Sequence, residues 1–221
     1  MKITPKLHAF IWNSMTTNNC NTYLIDCSKR ILIDPGHADL FGHVREGLDE
    51  LGLAIRDIDL VICTHAHPDH LESVSVLKKE NVLFAIHETE WNWLKEMETY
   101  IQRSYGKGLD EIQPDFLLKE GLLNLKETQI WVVHTPGHTA GSICLYWPEE
   151  NALFTGDLIF KSGFGRTDLP GGDSEQLKAS IKKVAELDVK WMLPGHGNII
   201  SGTSEVKANF DHIAELMMTY F

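Results

Sequence analysis

One heptapeptide limits what this chain can fold into: Thr64-His65-Ala66-His67-Pro68-Asp69-His70. It follows Leu60-Val61-Ile62-Cys63, an apolar run of the kind that makes a buried strand. It precedes a stretch in which Leu71, Val74 and Leu77 recur at helical spacing. Pro68 suits a first helical position, where its missing N–H costs nothing. The heptapeptide is therefore expected on a strand-to-helix turn at a strand's carboxyl end, where open α/β sheets place their sites. In an extended segment His65 and His67 point the same way, because strand side chains alternate with period two. Asp69 and His70 then face the same pocket from the first helical turn. Imidazole and carboxylate suit zinc, iron or manganese. Four ligand types in one turn are too many for a single tetrahedral ion, so two ions are expected, and further ligands must come from downstream.

The rest of the chain supplies them. Asn21–Asp26 and Arg30–Asp34 read as two strands across a short polar turn, ended by Asp34-Pro35-Gly36. Asp34 either accepts hydrogen bonds from the heptapeptide or simply forms the turn. Leu40, Val44, Leu48 and Leu51 suit an amphipathic helix stopped at Gly52. Val82–Ile86 is an apolar strand, and His87 beyond it is expected to be structural. Trp91, Trp93, Leu94, Met97, Tyr100 and Ile101 form an aromatic helical stripe, broken at Ser104–Gly108; a helical insertion around 88–124 is expected, either core or the wall of a pocket. Ile130–Val133 leads to His134-Thr135-Pro136-Gly137-His138-Thr139-Ala140-Gly141-Ser142. A hairpin, Ile143–Trp147 with Asn151–Thr155, ends in Gly156-Asp157, and Lys190–Leu193 ends in Pro194-Gly195-His196-Gly197. Each of these strands delivers a ligand type at its carboxyl end beside a glycine, which lets backbone approach closely. The candidate ligands are His65, His67, Asp69, His70, His138, Asp157 and His196.

The motifs T-H-x-H-x-D-H, G-H-T-x-G-S, T-G-D and P-G-H-G together resemble the metallo-β-lactamase fold, over nearly the whole chain. That resemblance implies an α+β, four-layer αββα sandwich formed by residues 1–221 as one domain, with the site between the sheets. It implies a first metal on His65, His67 and His138, a second on Asp69, His70 and His196, and Asp157 bridging them. Two divalent ions, most simply zinc, would hold a bridging hydroxide, with Asp69 and Asp157 serving the chemistry. Gly163–Asp173, reading G-F-G-R-T-D-L-P-G-G-D, resembles a loop of the hydroxyacylglutathione hydrolases (glyoxalase II). The implied function is cleavage of a small-molecule thioester or related acyl ester. Arg166 either clamps a substrate carboxylate or pairs with Asp168, and Asp173 is expected to cap a helix beginning near Ser174.

Departures from related patterns narrow this. The best-known β-lactamase subclass has cysteine where Asp157 stands, and flavodiiron proteins have glutamate in place of His67. Glyoxalase II enzymes carry a helical glutathione-binding domain, whereas Asn198–Phe221 suffices for one helix, with Val206, Phe210, Ile213 and Met217 at helical spacing. The rival is a persulfide dioxygenase with one iron on His65, His138 and Asp157, a two-histidine, one-carboxylate triad. A lactonase would use the same hydrolytic centre, and a metal-binding interaction protein would use the ligands without catalysis.

Composition bounds the partners. With 221 residues, 43% hydrophobic and 23% charged, the chain can bury a full core. A formal net charge of -11 disfavours nucleic acid. The amino-terminal residues do not read as a secretory signal and no membrane span is evident, so a cytoplasmic protein is expected. Cys20, Cys27, Cys63 and Cys144 lack paired spacing and are expected as free thiols. Oligomeric state is not legible.

Overall fold

The computed structural model describes residues 1–14, 16–97 and 108–220. One sheet takes its strands in chain order: β1 (Lys2–Thr4), β2 (Leu7–Phe10), β3 (Thr22–Asp26), β4 (Arg30–Ile33), β5 (Leu60–Ile62), β6 (Leu83–His87) and β7 (Phe116–Leu118). The other contains β8 (Gly121–Leu125), β9 (Thr128–His134), β10 (Ile143–Trp147), β11 (Ala152–Gly156), β14 (Trp191–Pro194) and β15 (Ile200–Ser201), in the spatial order β15-β14-β11-β10-β9-β8. A ribbon of β12 (Ile159–Phe160) and β13 (Gly163–Phe164) stands apart from both. The helices are α1 (Gly42–Glu50), α2 (Pro68–Leu71), α3 (Val74–Lys78), α4 (Glu88–Glu96), α5 (Ser174–Val184) and α6 (Thr203–Tyr220).

Strand alternation sorts the apolar side chains into three layers. Tyr23, Ile25, Ile31, Ile33 and Ile62 of the first sheet meet Leu145, Trp147, Phe154 and Leu193 of the second, forming the inter-sheet core. The alternate residues Leu24, Leu32 and Val61 face outward onto Val44, Leu48, Leu71, Val74 and Leu77. On the far side Cys144, Leu153 and Met192 pack against Leu177, Ile181, Phe210 and Ile213. Strands buried on both faces read as unbroken apolar runs. The result is the expected αββα sandwich, and Val206, Phe210, Ile213 and Met217 are buried on α6 as their spacing predicts.

Strand direction gathers the functional loops. β4, β5 and β6 are mutually parallel, so their carboxyl ends share one edge. β10 is antiparallel to both β9 and β11, and β14 is parallel to β11, so β9, β11 and β14 also point one way. Asp34, the heptapeptide and His87 thus leave one sheet, while His138, Asp157 and His196 leave the other.

The stretch 88–124 differs from its expected helical character. Only Glu88–Glu96 is α-helical among the described residues, with a 3-10 turn at Leu109–Ile112. Phe116–Leu118 and Gly121–Leu125 are strands, and they form the edges of the two different sheets. Their exposed apolar residues, Phe116, Leu117 and Leu122, carry strand alternation too short to read without its partners. Tyr100, Ile101 and the break from Ser104 to Lys107 lie outside the described residues. His87 caps α4, accepting from the Thr89 N–H, and Asp173 caps α5 by accepting from the Gln176 N–H at 2.9 Å.

The inter-sheet core makes a direct prediction. Phe154 is 1% exposed and meets Tyr23 edge-on at 5.5 Å. Phe154→Ala should cost about 3–5 kcal/mol of unfolding free energy, read by urea titration of the metal-free protein. A loss below about 1 kcal/mol would contradict this packing.

Candidate metal centre

The heptapeptide folds as its sequence requires. Cys63 to His67 is non-helical, His67 is extended at φ -66 and ψ 148, and Pro68 opens α2. Asp69 and His70 follow it within that helix and are buried. Two glycines let the opposing loops close on them. A Cβ on Gly195 would lie 2.4 Å from Asp157 Oδ1 and 2.7 Å from His70 Cε1. One on Gly165 would lie 1.8 Å from the Asp157 carbonyl oxygen. Neither position accepts a side chain without moving the site.

All of the candidate ligands converge. Ligand atoms of His65, His67 and His138 lie within 4.8 Å of one another, as do those of Asp69, His70 and His196. A third group joins Asp157 to His65 and His70, one residue from each of the other two. His138 Nε2 is 2.9 Å from His67 Nδ1, and His65 Nε2 is 3.1 Å from the same atom. His70 Nε2 is 3.3 Å from His196 Nε2 and 3.3 Å from Asp157 Oδ1. His196 Nε2 stands 3.3 Å from Asp69 Oδ2 and 3.4 Å from Asp157 Oδ2. Nitrogen ligands about 2.0–2.1 Å from a tetrahedral ion sit about 3.3 Å from each other. These contacts fall near that edge length, and the donor set of neutral imidazoles and shared carboxylate suits two divalent ions. Asp157 Oδ1 is also buried without a hydrogen-bond donor, as a ligand oxygen would be.

The outer ring nitrogens of His65 and His138 are held from behind, which fixes tautomer and orientation. Thr64 donates its N–H to Asp34 Oδ1 at 2.7 Å and its hydroxyl to Oδ2 at 2.8 Å. That leaves Thr64 Oγ1 to accept from His65 Nδ1 at 3.1 Å, freeing His65 Nε2 for the site. His70 Nδ1 lies 3.0 Å from Asp34 Oδ2. Asp34 holds φ +53, in the left-handed region that aspartate tolerates better than most residues. Of its two readings, the hydrogen-bonding one is what the structure contains. His138 Nδ1 donates to the Arg166 carbonyl at 2.8 Å.

Protonation differs across the centre. Burial pushes His65 well below its usual value, lowers His67 to about 4, and lowers His138. These imidazoles are neutral and ready to coordinate at pH 7. For His196 burial is outweighed by hydrogen bonds to Asp157 and Asp69, which raise it to about 9. His70 is raised well above its usual value because Asp157 and Asp34 overcome burial. The same pairings hold Asp69 and Asp157 low against their burial.

The centre opens into a cleft of about 630 Å³ walled by Phe160, Phe164, Leu169 and Arg166. Arg166 donates Nε and Nη2 to the two Asp168 carboxylate oxygens, each at 2.7 Å, at the exposed rim. The salt-bridge reading of that arginine is therefore the arrangement present. His87 stays out of the centre and stacks on His134, centroids 4.4 Å apart. Sequence reasoning missed several supports. Asn18 donates to Asp69 Oδ2 at 2.7 Å. Asn21 Nδ2 donates to the Pro194 and Gly197 carbonyls at 3.0 and 2.9 Å, and Tyr23 Oη donates to Pro194 at 2.7 Å, pinning the His196 loop. Polar residues opening a strand carry no local signal of such a role.

Comparison with known proteins agrees with this geometry. The sequence model of the metallo-β-lactamase superfamily matches residues 15–196. A probable metallo-hydrolase of Methanocaldococcus jannaschii is 40% identical over 185 residues, covering 81% of this chain and 88% of the relative. The hydroxyacylglutathione hydrolase GloC of Haemophilus influenzae is 31% identical over 198 residues, covering 86% and 91%. Among solved structures, a metallo-β-lactamase family protein of Thermus thermophilus superposes with a TM-score of 0.78 at 21% identity, covering 99% of this chain and 81% of that one. TTHA1623, solved in a di-iron-bound form, superposes with a TM-score of 0.67 at 30% identity, covering 82% and 89%.

The His196 assignment has a measurable sign. Its pKa is raised, so the stability it gives the metal-free protein is full below about 6.5 and is lost as pH rises through about 9. A divalent ion must displace that proton, so apparent metal affinity should climb with pH until about 9. Calorimetric zinc titration at pH 7 in buffers of different ionisation heat should reveal proton release. A buffer-independent enthalpy would overturn the protonated His196.

Proposed function

This chain belongs to the metallo-β-lactamase superfamily, and on that premise we propose that it is a dinuclear thioester hydrolase resembling the hydroxyacylglutathione hydrolases. The broader class, a metal-dependent hydrolase, rests on the family and on the His/Asp clusters together. In this reading His65, His67 and His138 hold one ion, Asp69, His70 and His196 hold the other, and Asp157 serves both. The observation that carries it is the position of Asp157, clustered with one histidine from each of the other groups. Zinc is the ion we favour, because imidazole and carboxylate suit it and hydrolysis needs no redox change.

Two divalent ions, when bound, supply a water acidified from about 15.7 towards 7 and a Lewis acid for the carbonyl oxygen. The chain's own groups do the remaining work. Asp69, steadied by Asn18, would accept a hydrogen bond from a water held there and orient it, while Asp157 would hold the two ions together. Phe160, edge-on to His196 with centroids 5.9 Å apart, forms with Phe164 and Leu169 an apolar wall for the acyl chain. Arg166 stands at the mouth, where a substrate carboxylate would have to compete with Asp168 for it. A small acyl thioester is the substrate that fits an apolar wall beside an electrophile-activating centre; ring esters use the same parts.

Among the described residues no helix is long and apolar enough to cross a membrane. The cysteines are all free, and Cys20, Cys63 and Cys144 are buried. Free thiols suit a reducing compartment, and we place the protein in the cytoplasm.

The test is turnover by metal-replete protein across S-acylglutathione thioesters, alkyl thioesters and lactones. Asp157→Ala should lose bound metal and lower kcat/KM by about 100-fold or more, and chelation of the unaltered protein should abolish activity. Metal-replete protein without turnover on any of these substrates would sink the proposal. Oxygen uptake with glutathione persulfide by a one-iron form would replace it with the oxygenase.

A further inference from the structure

Among the described residues, a buried carboxylate lies outside the candidate ligand set. Glu90, the third residue of α4, is 0% exposed. Its Oε1 accepts the Ala66 N–H at 2.8 Å. Its Oε2 accepts the Thr139 hydroxyl at 2.8 Å and the Gly141 N–H at 2.8 Å. Both oxygens only accept, which is the behaviour of an ionised carboxylate. Burial pushes the Glu90 carboxyl above its usual value, and the interactions that oppose this among the described residues are these hydrogen bonds, with no cationic side chain among them. A buried carboxylate without an ion-pair partner is costly and calls for a reason.

Its partners supply the reason. Ala66 lies between His65 and His67, and Thr139 follows His138. One carboxylate therefore ties together the two loops that carry one imidazole cluster, and among the described residues its hydrogen bonds go to the neighbours of His65, His67 and His138 and not to Asp69, His70 or His196. The tie is built tightly. A Cβ on Gly141 would lie 2.1 Å from the Glu90 nitrogen, so the His138 loop rests directly on α4. Ser142 Oγ accepts from the Thr139 N–H at 3.2 Å and lies 2.6 Å from Thr139 Oγ1, which aims the threonine hydroxyl at Glu90. His134 stacks on the α4 cap His87 and donates Nε2 to the Ala140 carbonyl at 3.1 Å, holding the same loop to the same helix. The other cluster already includes the Asp69 carboxylate, whereas His65, His67 and His138 bring no charge of their own.

We propose that Glu90 is a positioning residue for the ion on His65, His67 and His138: it sets the spacing of the two loops and places a fixed negative charge behind the three neutral imidazoles. The inference rests on the dinuclear reading above. Its consequence is selective, because removal of Glu90 should weaken one site and spare the other.

The experiment measures zinc affinity by chelator competition in two one-site backgrounds. His196→Ala disables the second cluster and His67→Ala the first. Glu90→Gln keeps the shape, removes the charge and sets an amide N–H against a donor. In the His196→Ala background it should weaken the remaining equivalent roughly 10–100-fold. In the His67→Ala background it should change the remaining affinity by less than about twofold. Thr139→Val, which deletes one of the carboxylate's three hydrogen bonds, should repeat the selective loss more mildly and serves where Glu90→Gln does not fold. Equal weakening in both backgrounds would reduce Glu90 to a general structural support, and no weakening in either would remove it from the site; both overturn the proposal. If the unaltered chain binds fewer than two zinc ions, or either background variant retains two, the dinuclear reading itself is what fails.

Discussion

Everything at the functional edge follows from one constraint: nitrogen and oxygen atoms must be aimed at each other at about 3 Å, the spacing of ligands around a shared ion. Without a cation the His65, His67 and His138 side of such an arrangement is poorly compensated, since neutral imidazoles bring lone pairs together there. The fold maintains it by fixing backbone, and it does so with buried polar side chains. Asp34 holds Thr64 and lies beside His70. Asn21 and Tyr23 hold the Pro194–Gly197 turn. Glu90 holds the backbone beside His65, His67 and His138. Each support reaches a ligand loop from a different element, so no single helix or strand defines the site.

That division explains what could be read from the sequence. The candidate ligands were legible because each occurs at the carboxyl end of an apolar run, next to glycine or proline, and because His65, His67, Asp69 and His70 share one turn. The layers were legible because strands such as Ile31–Ile33 and Leu60–Ile62 are apolar on both faces. The supports were not, because their partners are distant in the chain: Asn21 reaches residues past 190, and Glu90 reaches residue 141. Glu90 did leave a trace, an acidic residue on the same helical face as the buried Leu94. Strands β7 and β8 escaped for a related reason. At the sheet edges, partly exposed and brief, they have a pattern that becomes meaningful only beside β6 and β9.

The two clusters are electrically unlike. Burial keeps the His65, His67 and His138 imidazoles neutral, so an ion there meets bases that have no proton to lose. His70 and His196 are instead raised above the usual imidazole value by the carboxylates of Asp157, Asp34 and Asp69 beside them.

The short step from Leu118 to Gly121 carries the chain from the edge of one sheet to the edge of the other. It divides the molecule into two leaves, and the candidate ligands divide with it: His65, His67, Asp69 and His70 on the first, His138, Asp157 and His196 on the second. The polar supports cross the same divide, since Glu90 and Asn21 belong to one leaf and bind backbone of the other. Any ion held by either cluster is therefore a cross-link between leaves that are already neighbours in sequence. Metal uptake and closure of the sandwich are thermodynamically linked, and free metal concentration becomes a variable of folding as much as of catalysis.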